Sequence, residues 1–169
     1  MRQKTLFSLV VLMLFLLVSG TSYAATTIVY DGGTNWSQGT NTGDVGIPKS
    51  SACGYDGKMR WVNGNGYSTE YVWGRWDYNV PFNTDISLQY QVYIPNCNSS
   101  ASVNYWVIYG TQSTTVSVDQ NQYVDAWVNL GNYFIPANKS YVQAFIKLYN
   151  DNLSNVYKVG FDEAAFNQD

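Results

Sequence analysis

The chain predicts an all-β fold, an antiparallel β-sandwich of jelly-roll type with about nine strands. Three observations carry this. Alternation of apolar and polar residues recurs in short segments, Gly/Asn/Pro/Ser clusters punctuate them every 8–12 residues, and no stretch shows a helical period. The clearest strand is 86–94. Ile86, Leu88, Tyr90, Val92 and Ile94 share one face, and Ser87, Gln89, Gln91 and Tyr93 the other. The side-chain period of a strand is two, so the first set faces a core and the second faces out.

The remaining elements follow in chain order. Thr26–Tyr30 reads as a short β-branched strand ended by Asp31-Gly32-Gly33, and residues 34–57 read as a long polar surface loop. Lys58–Val62 and Ser68–Tyr78 flank Asn63-Gly64-Asn65-Gly66 and read as a hairpin, because Asn-Gly supplies the positive φ such turns need. Pro81 and Asn83 break the pattern before strand 86–94, and Pro95–Ser100 turns the chain into strand 103–109. Residues 114–136 read as two strands joined by a polar turn, with Val116 and Val118 opposed to Ser117 and Asp119. Tyr141–Tyr149 places Val142, Ala144, Ile146 and Leu148 inward, and Val156–Phe166 closes the chain as one strand.

Residues 1–24 read as an export signal. Arg2 and Lys4 precede the apolar run Leu6–Val18, and Ser22-Tyr23-Ala24 supplies small residues at a cleavage site. The run is shorter than the ~20 residues a membrane span needs. The expected protein is therefore secreted, a single domain over 25–169, without stable membrane insertion after signal cleavage. Removing Arg2 and Lys4 from nine basic residues leaves seven against twelve acids, a formal charge of −5. Such a chain is ill suited to nucleic acid, whose phosphates demand Lys and Arg. Cys53 and Cys97 are the two cysteines. In an oxidising compartment they are expected to pair, and closing that loop is worth roughly 4 kcal/mol in the chain-entropy account.

Histidine is absent. That excludes Ser-His-Asp and Cys-His nucleophile systems and His-bound zinc. No nucleotide-binding glycine motif stands in a strand–helix context. Paired carboxylates for glycoside hydrolysis could be drawn only from Asp77, Asp119, Asp125, Asp162 and Glu163, and a lyase could use tyrosine. Neither set forms a recognisable constellation, so no catalytic residue, cofactor or metal is assigned. Asp31 and Asp162 could meet if the terminal strands lie together, but two carboxylates are too few for calcium. Asn35, Asn98, Asn138 and Asn152 begin N-x-S/T sequons, relevant only in a glycosylating host.

The positive signal is the aromatic surplus, six Trp and fifteen Tyr. Sugars present C–H faces that stack on rings, with hydroxyls that seek polar neighbours. Trp76 shares parity with Val72 and Tyr78 and is expected in the core. Trp73 and Arg75 share the outward face with Asp77, Tyr93 lies with Gln89 and Gln91, and Trp106 lies with Asn104. Trp73, Arg75, Tyr93 and Trp106 are the candidate ligand-binding residues.

The string Thr115-Val116-x-Val118-x-Gln120 followed by Trp127-x-x-Leu130-Gly131-x-Tyr133 resembles the core motif of the golvesin C-terminal-like domain, also described as the carbohydrate-binding-like domain of xanthan lyase. Val29–Gly33, Ser51 with Cys53–Gly57, Trp76, the Ser87–Pro95 segment with Tyr90 and Val92, and Asp162 with Phe166 extend the match over nearly all of 25–169. The family's glycine before strand 86–94 is missing, Ile108 or a neighbour stands for its frequent histidine, and Ala165 stands for its C-terminal arginine. The resemblance implies a non-catalytic module that binds a polysaccharide or glycan. The alternatives are a structural or adhesive extracellular protein without a sugar site and, less favoured, a polysaccharide lyase or glycoside hydrolase.

Overall fold

The computed structural model describes residues 25–41, 48–69, 71–79, 84–137 and 143–168; residues 1–24, where an export signal is expected, and Pro81, Asn83, Asn138 and Val142 lie outside them. Twelve strands occur among the described residues. They are β1 (Ala25–Val29), β2 (Trp36–Thr40), β3 (Lys49–Ser51), β4 (Met59–Asn63), β5 (Val72–Asp77), β6 (Ile86–Ile94), β7 (Ser102–Gly110), β8 (Gln112–Asp119), β9 (Ala126–Ile135), β10 (Gln143–Tyr149), β11 (Lys158–Phe161) and β12 (Ala164–Gln168). A four-stranded sheet runs β1-β12-β6-β9 and a five-stranded sheet β2-β5-β10-β7-β8, with a small sheet β11-β4-β3. Every pairing is antiparallel. The chain changes sheet at β5–β6, β6–β7, β8–β9 and β9–β10, which is the winding of a jelly roll.

Alternation builds the core as expected. Ile86, Leu88, Tyr90, Val92 and Ile94 of β6 meet Val103, Tyr105 and Val107 of β7 and Ala144, Ile146 and Leu148 of β10, all buried. Trp76 is buried too, and its indole N–H donates to the Asp162 carbonyl at 2.6 Å. Gln120 is one of the polar side chains built into this interior. Gln120, in a 3-10 turn (Gln120–Gln122), donates to the Tyr105 hydroxyl at 2.8 Å and the Gly160 carbonyl at 3.0 Å. It also accepts from the Gly160 N–H at 3.1 Å. Every polar atom it brings inside is thereby paired.

Three expectations are corrected. Residues 34–57 are not all loop, since β2 and β3 lie within them. The polar β2 forms because it sits at a sheet edge and needs one apolar contact, Trp36, whose ring is 4.7 Å from that of Trp76. The segments around Asn63–Gly66 do not form a hairpin. β4 pairs with β3 and β11, whereas β5 pairs with β2 and β10. The intervening turn is tied to other strands' connections through Gly64 N–H to the Tyr157 carbonyl and Asn65 N–H to the Asn150 carbonyl, both 2.8 Å. The last segment, 156–166, is two strands in different sheets, broken at Asp162-Glu163. The strands within 114–136 are likewise joined by a polar turn but lie in opposite sheets.

The disulfide joins Cys53 and Cys97, with Cα atoms 6.6 Å apart. It clips the loop between β3 and β4 to the turn between β6 and β7. β1 pairs with β12 along its whole length, so the two ends of the described chain do lie together.

Candidate functional site

The five-stranded sheet has one face in the core and one toward solvent. Its register sets which outward side chains are neighbours. Trp73 of β5 stands opposite Tyr149 of β10, Arg75 opposite Lys147, and Lys147 opposite Trp106 of β7. Three strands about 4.8 Å apart thus carry a row of rings across the sheet. Trp106 is 48% exposed, and its ring centroid lies 5.9 Å from that of Tyr149, edge to face. Tyr71 also packs edge to face on Tyr149, at 5.0 Å. The Lys147 ammonium lies 4.4 Å from the Trp73 ring centre and 4.8 Å from that of Tyr149, a cation shared between two π faces. Gly39 makes this geometry possible. A Cβ there would come within 2.7 Å of the Trp73 ring, so only glycine lets the indole lie along the edge strand.

Beside the row is a cleft of about 320 Å³. Tyr71, Trp106 and Tyr149 form its apolar wall, and Asn104, Asp151 and Asn152 offer amide and carboxylate groups. Apolar walls with a few convergent polar groups suit a ligand that has both a hydrophobic face and hydroxyls. The opposite end of the face is closed upon itself. The Arg75 guanidinium sits 3.6 Å over the Phe145 ring, and its Nε donates to both Asp77 oxygens at 2.9 Å.

Of the sequence candidates, Trp73, Arg75 and Trp106 share this face. Tyr93 does not. It lies on β6, in the other sheet, where it forms a separate cluster with Tyr55 and Trp127 at centroid distances of 5.1–5.4 Å. Parity reports the side of a strand and not the sheet that strand joins. Tyr149, Lys147 and Tyr71 were not among the candidates. The inward parity of Ala144, Ile146 and Leu148 already puts Lys147 and Tyr149 outward, so these two were within reach. Nothing local marks Tyr71.

The carboxylates considered for catalysis are dispersed. Asp77 pairs with Arg75. Asp119 accepts from Asn121 N–H and Gln122 Nε2, both at 3.2 Å. Asp125 accepts from Asn96 N–H and Nδ2. Asp162 and Glu163 are buried side by side at the β11–β12 turn, and burial pushes both carboxyls above the ordinary range. Among the described residues, Asp31, Asp56 and Glu163 lie close enough to hold a cation, away from the aromatic row.

No family model matches the chain, and no curated protein does. Solved structures do. The chain is similar to part of a xanthan lyase from Paenibacillus at 20% identity and a TM-score of 0.61, over 85% of this chain and 13% of that one. It is similar to an adhesin domain of Lys-gingipain from Porphyromonas gingivalis at 13% identity and a TM-score of 0.49, over 85% and 98%. A xylan-binding module aligns at 11% identity and a TM-score of 0.36, over 85% and 97%. The first likeness establishes the sandwich fold, and at such identities fold is what it establishes. The chain spans about one eighth of the xanthan lyase it matches.

Proposed function

We propose that this chain is a secreted, non-catalytic module of the golvesin-like kind that binds a polysaccharide across the outer face of its five-stranded sheet. The row Trp73–Tyr149–Trp106, with Lys147 between the rings and a polar-edged cleft at one end, carries this reading. A sugar ring would stack on Trp106 while Asn104, Asn152 and Lys147 hydrogen-bond its hydroxyls. Partial likeness to a xanthan lyase supports a polysaccharide as the ligand class. The disulfide supports export, and among the described residues no helix is long and apolar enough to cross a membrane. The carboxylate pool, committed to local partners or buried, supports a binding role over hydrolysis or elimination.

Affinity electrophoresis of the purified protein through gels containing xanthan, xylan or β-glucan tests the reading. Retardation in at least one gel, lost in Trp106→Ala, is expected. The structural or adhesive alternative gains if no polysaccharide retards the protein. Exposed Phe134, Val124 and Val156, outside the aromatic row, would then be its natural contact points.

A further inference from the structure

Three connections converge on one acidic cluster. Asp31 follows β1, Asp56 lies in the disulfide-closed loop, and Asp162-Glu163 joins β11 to β12. Carboxylate oxygens of Asp31, Asp56 and Glu163 all lie within 4.8 Å of one another. Glu163 is fully buried, Asp162 is 2% exposed, and the Asp31 side chain is 5% exposed. Asp162 Oδ2 accepts from the Tyr55 N–H at 3.2 Å, and Arg60 Nε lies 3.3 Å from Asp31 Oδ2. The other Asp162 oxygen and both Glu163 oxygens meet no N–H or hydroxyl donor of the protein, and the two carboxyls have each other within hydrogen-bonding reach. Buried carboxylates are retained where something positive satisfies them. The Arg60 guanidinium, even with the exposed Lys58 ammonium nearby, is too little positive charge for four acids.

We propose that Asp31, Asp56 and Glu163 form a calcium site, with Asp162 beside it, that ties the β1–β2 turn, the disulfide loop and the β11–β12 turn together. An all-oxygen donor set suits a hard cation. Oxygens facing each other across Ca²⁺ at its usual bond lengths are roughly 4.6–5.2 Å apart, so oxygens gathered within 4.8 Å of one another can share such an ion, and Ca²⁺ sheds its water more readily than Mg²⁺. The exposed Asp56 gives the ion a route in, and its remaining positions would be filled by backbone carbonyls or water. Tyr55, bonded to Asp162 through its N–H, carries one ring of the Tyr55–Tyr93–Trp127 cluster. Occupancy would therefore also fix that aromatic patch. The site does not depend on the sugar-binding reading.

Calorimetric titration of CaCl₂ into the EDTA-treated protein, with MgCl₂ in parallel, is the test. One calcium per chain, at least tenfold tighter than magnesium, and a higher Tm in calcium than in EDTA are expected. Asp56→Asn, at the exposed edge, should weaken calcium binding about tenfold or more through loss of a charged ligand, with its Tm in EDTA no lower than wild type. Glu163→Gln should abolish binding and raise the Tm in EDTA, since it removes one of the crowded charges. No calcium heat together with identical Tm in calcium and EDTA would overturn the proposal. So would Asp56→Asn binding calcium as tightly as wild type, which would put the ion elsewhere.

Discussion

Trp76 and Trp106 are the same residue with opposite duties, and two strands' parities decide which is which. Trp76 points inward, 1% exposed, with its N–H committed to the Asp162 carbonyl. Trp76→Ala should cost roughly 3–5 kcal/mol in denaturant unfolding, the range for emptying a packed aromatic site. Trp106 points outward and touches Tyr149 alone among the ring contacts described. Trp106→Ala should leave unfolding within about 0.5 kcal/mol of wild type. By analogy with bases stacked on aromatic rings, its sugar affinity should fall by roughly 1–3 kcal/mol. A Trp106→Ala variant that melts far below wild type would return this ring to the core. Parity was legible in the sequence for both residues, as it was for Trp73. It misplaced Tyr93, because alternation says nothing about which sheet a strand joins. It also left Asp56 and Glu163 unconnected to Asp31, since three turns distant in sequence meet only after both ends of the chain have paired.

At the level of elements, the connections hold more information than the strands. Gln120 joins β7, the 3-10 turn and β11 through three hydrogen bonds in the interior. Gln120→Ala would strand a buried N–H, a carbonyl and a hydroxyl, so a loss of about 3 kcal/mol is expected by denaturant unfolding. Recovery of wild-type stability in that variant would show that the turn is not held there. The disulfide acts between the β3–β4 and β6–β7 connections, and reduction should lower Tm, for a stability loss of roughly 4 kcal/mol. Alkylation of two thiols in the unreduced native protein would contradict the pairing. Strand β6 was legible because nine residues alternate without interruption. β2 was not, for Trp-Ser-Gln-Gly-Thr has the composition of a loop and is held by pairing to β5 and by one indole. The Asn63–Gly66 turn misled for a related reason. Its residues announce that the chain reverses, and not that the two arms separate into different sheets.

Over the whole molecule, two sheets wound as a jelly roll enclose tyrosines as well as aliphatics. Tyr90 and Tyr105 are buried, and desolvation raises both phenols well above their ordinary value near 10. Because the folded-state values are raised, their contribution to stability is intact below pH 10 and is lost as pH climbs toward the folded values. Absorbance titration should show at least two tyrosines that ionise only as the protein unfolds. Full ionisation with native circular dichroism would mean these rings are open to water. Among the described residues the same architecture leaves the outer face of the five-stranded sheet open, and on it Trp73, Tyr149 and Trp106 cross three strands in a row. That row is where a sugar is expected to bind. The direct measurement is titration calorimetry of wild type and the double variant Trp73→Ala/Trp106→Ala with the polysaccharide that most retards the wild type in affinity gels. The double variant should keep its Tm and bind about thirtyfold or more weakly, two stacking losses of roughly 1–3 kcal/mol each. Undiminished binding by a folded double variant would contradict it.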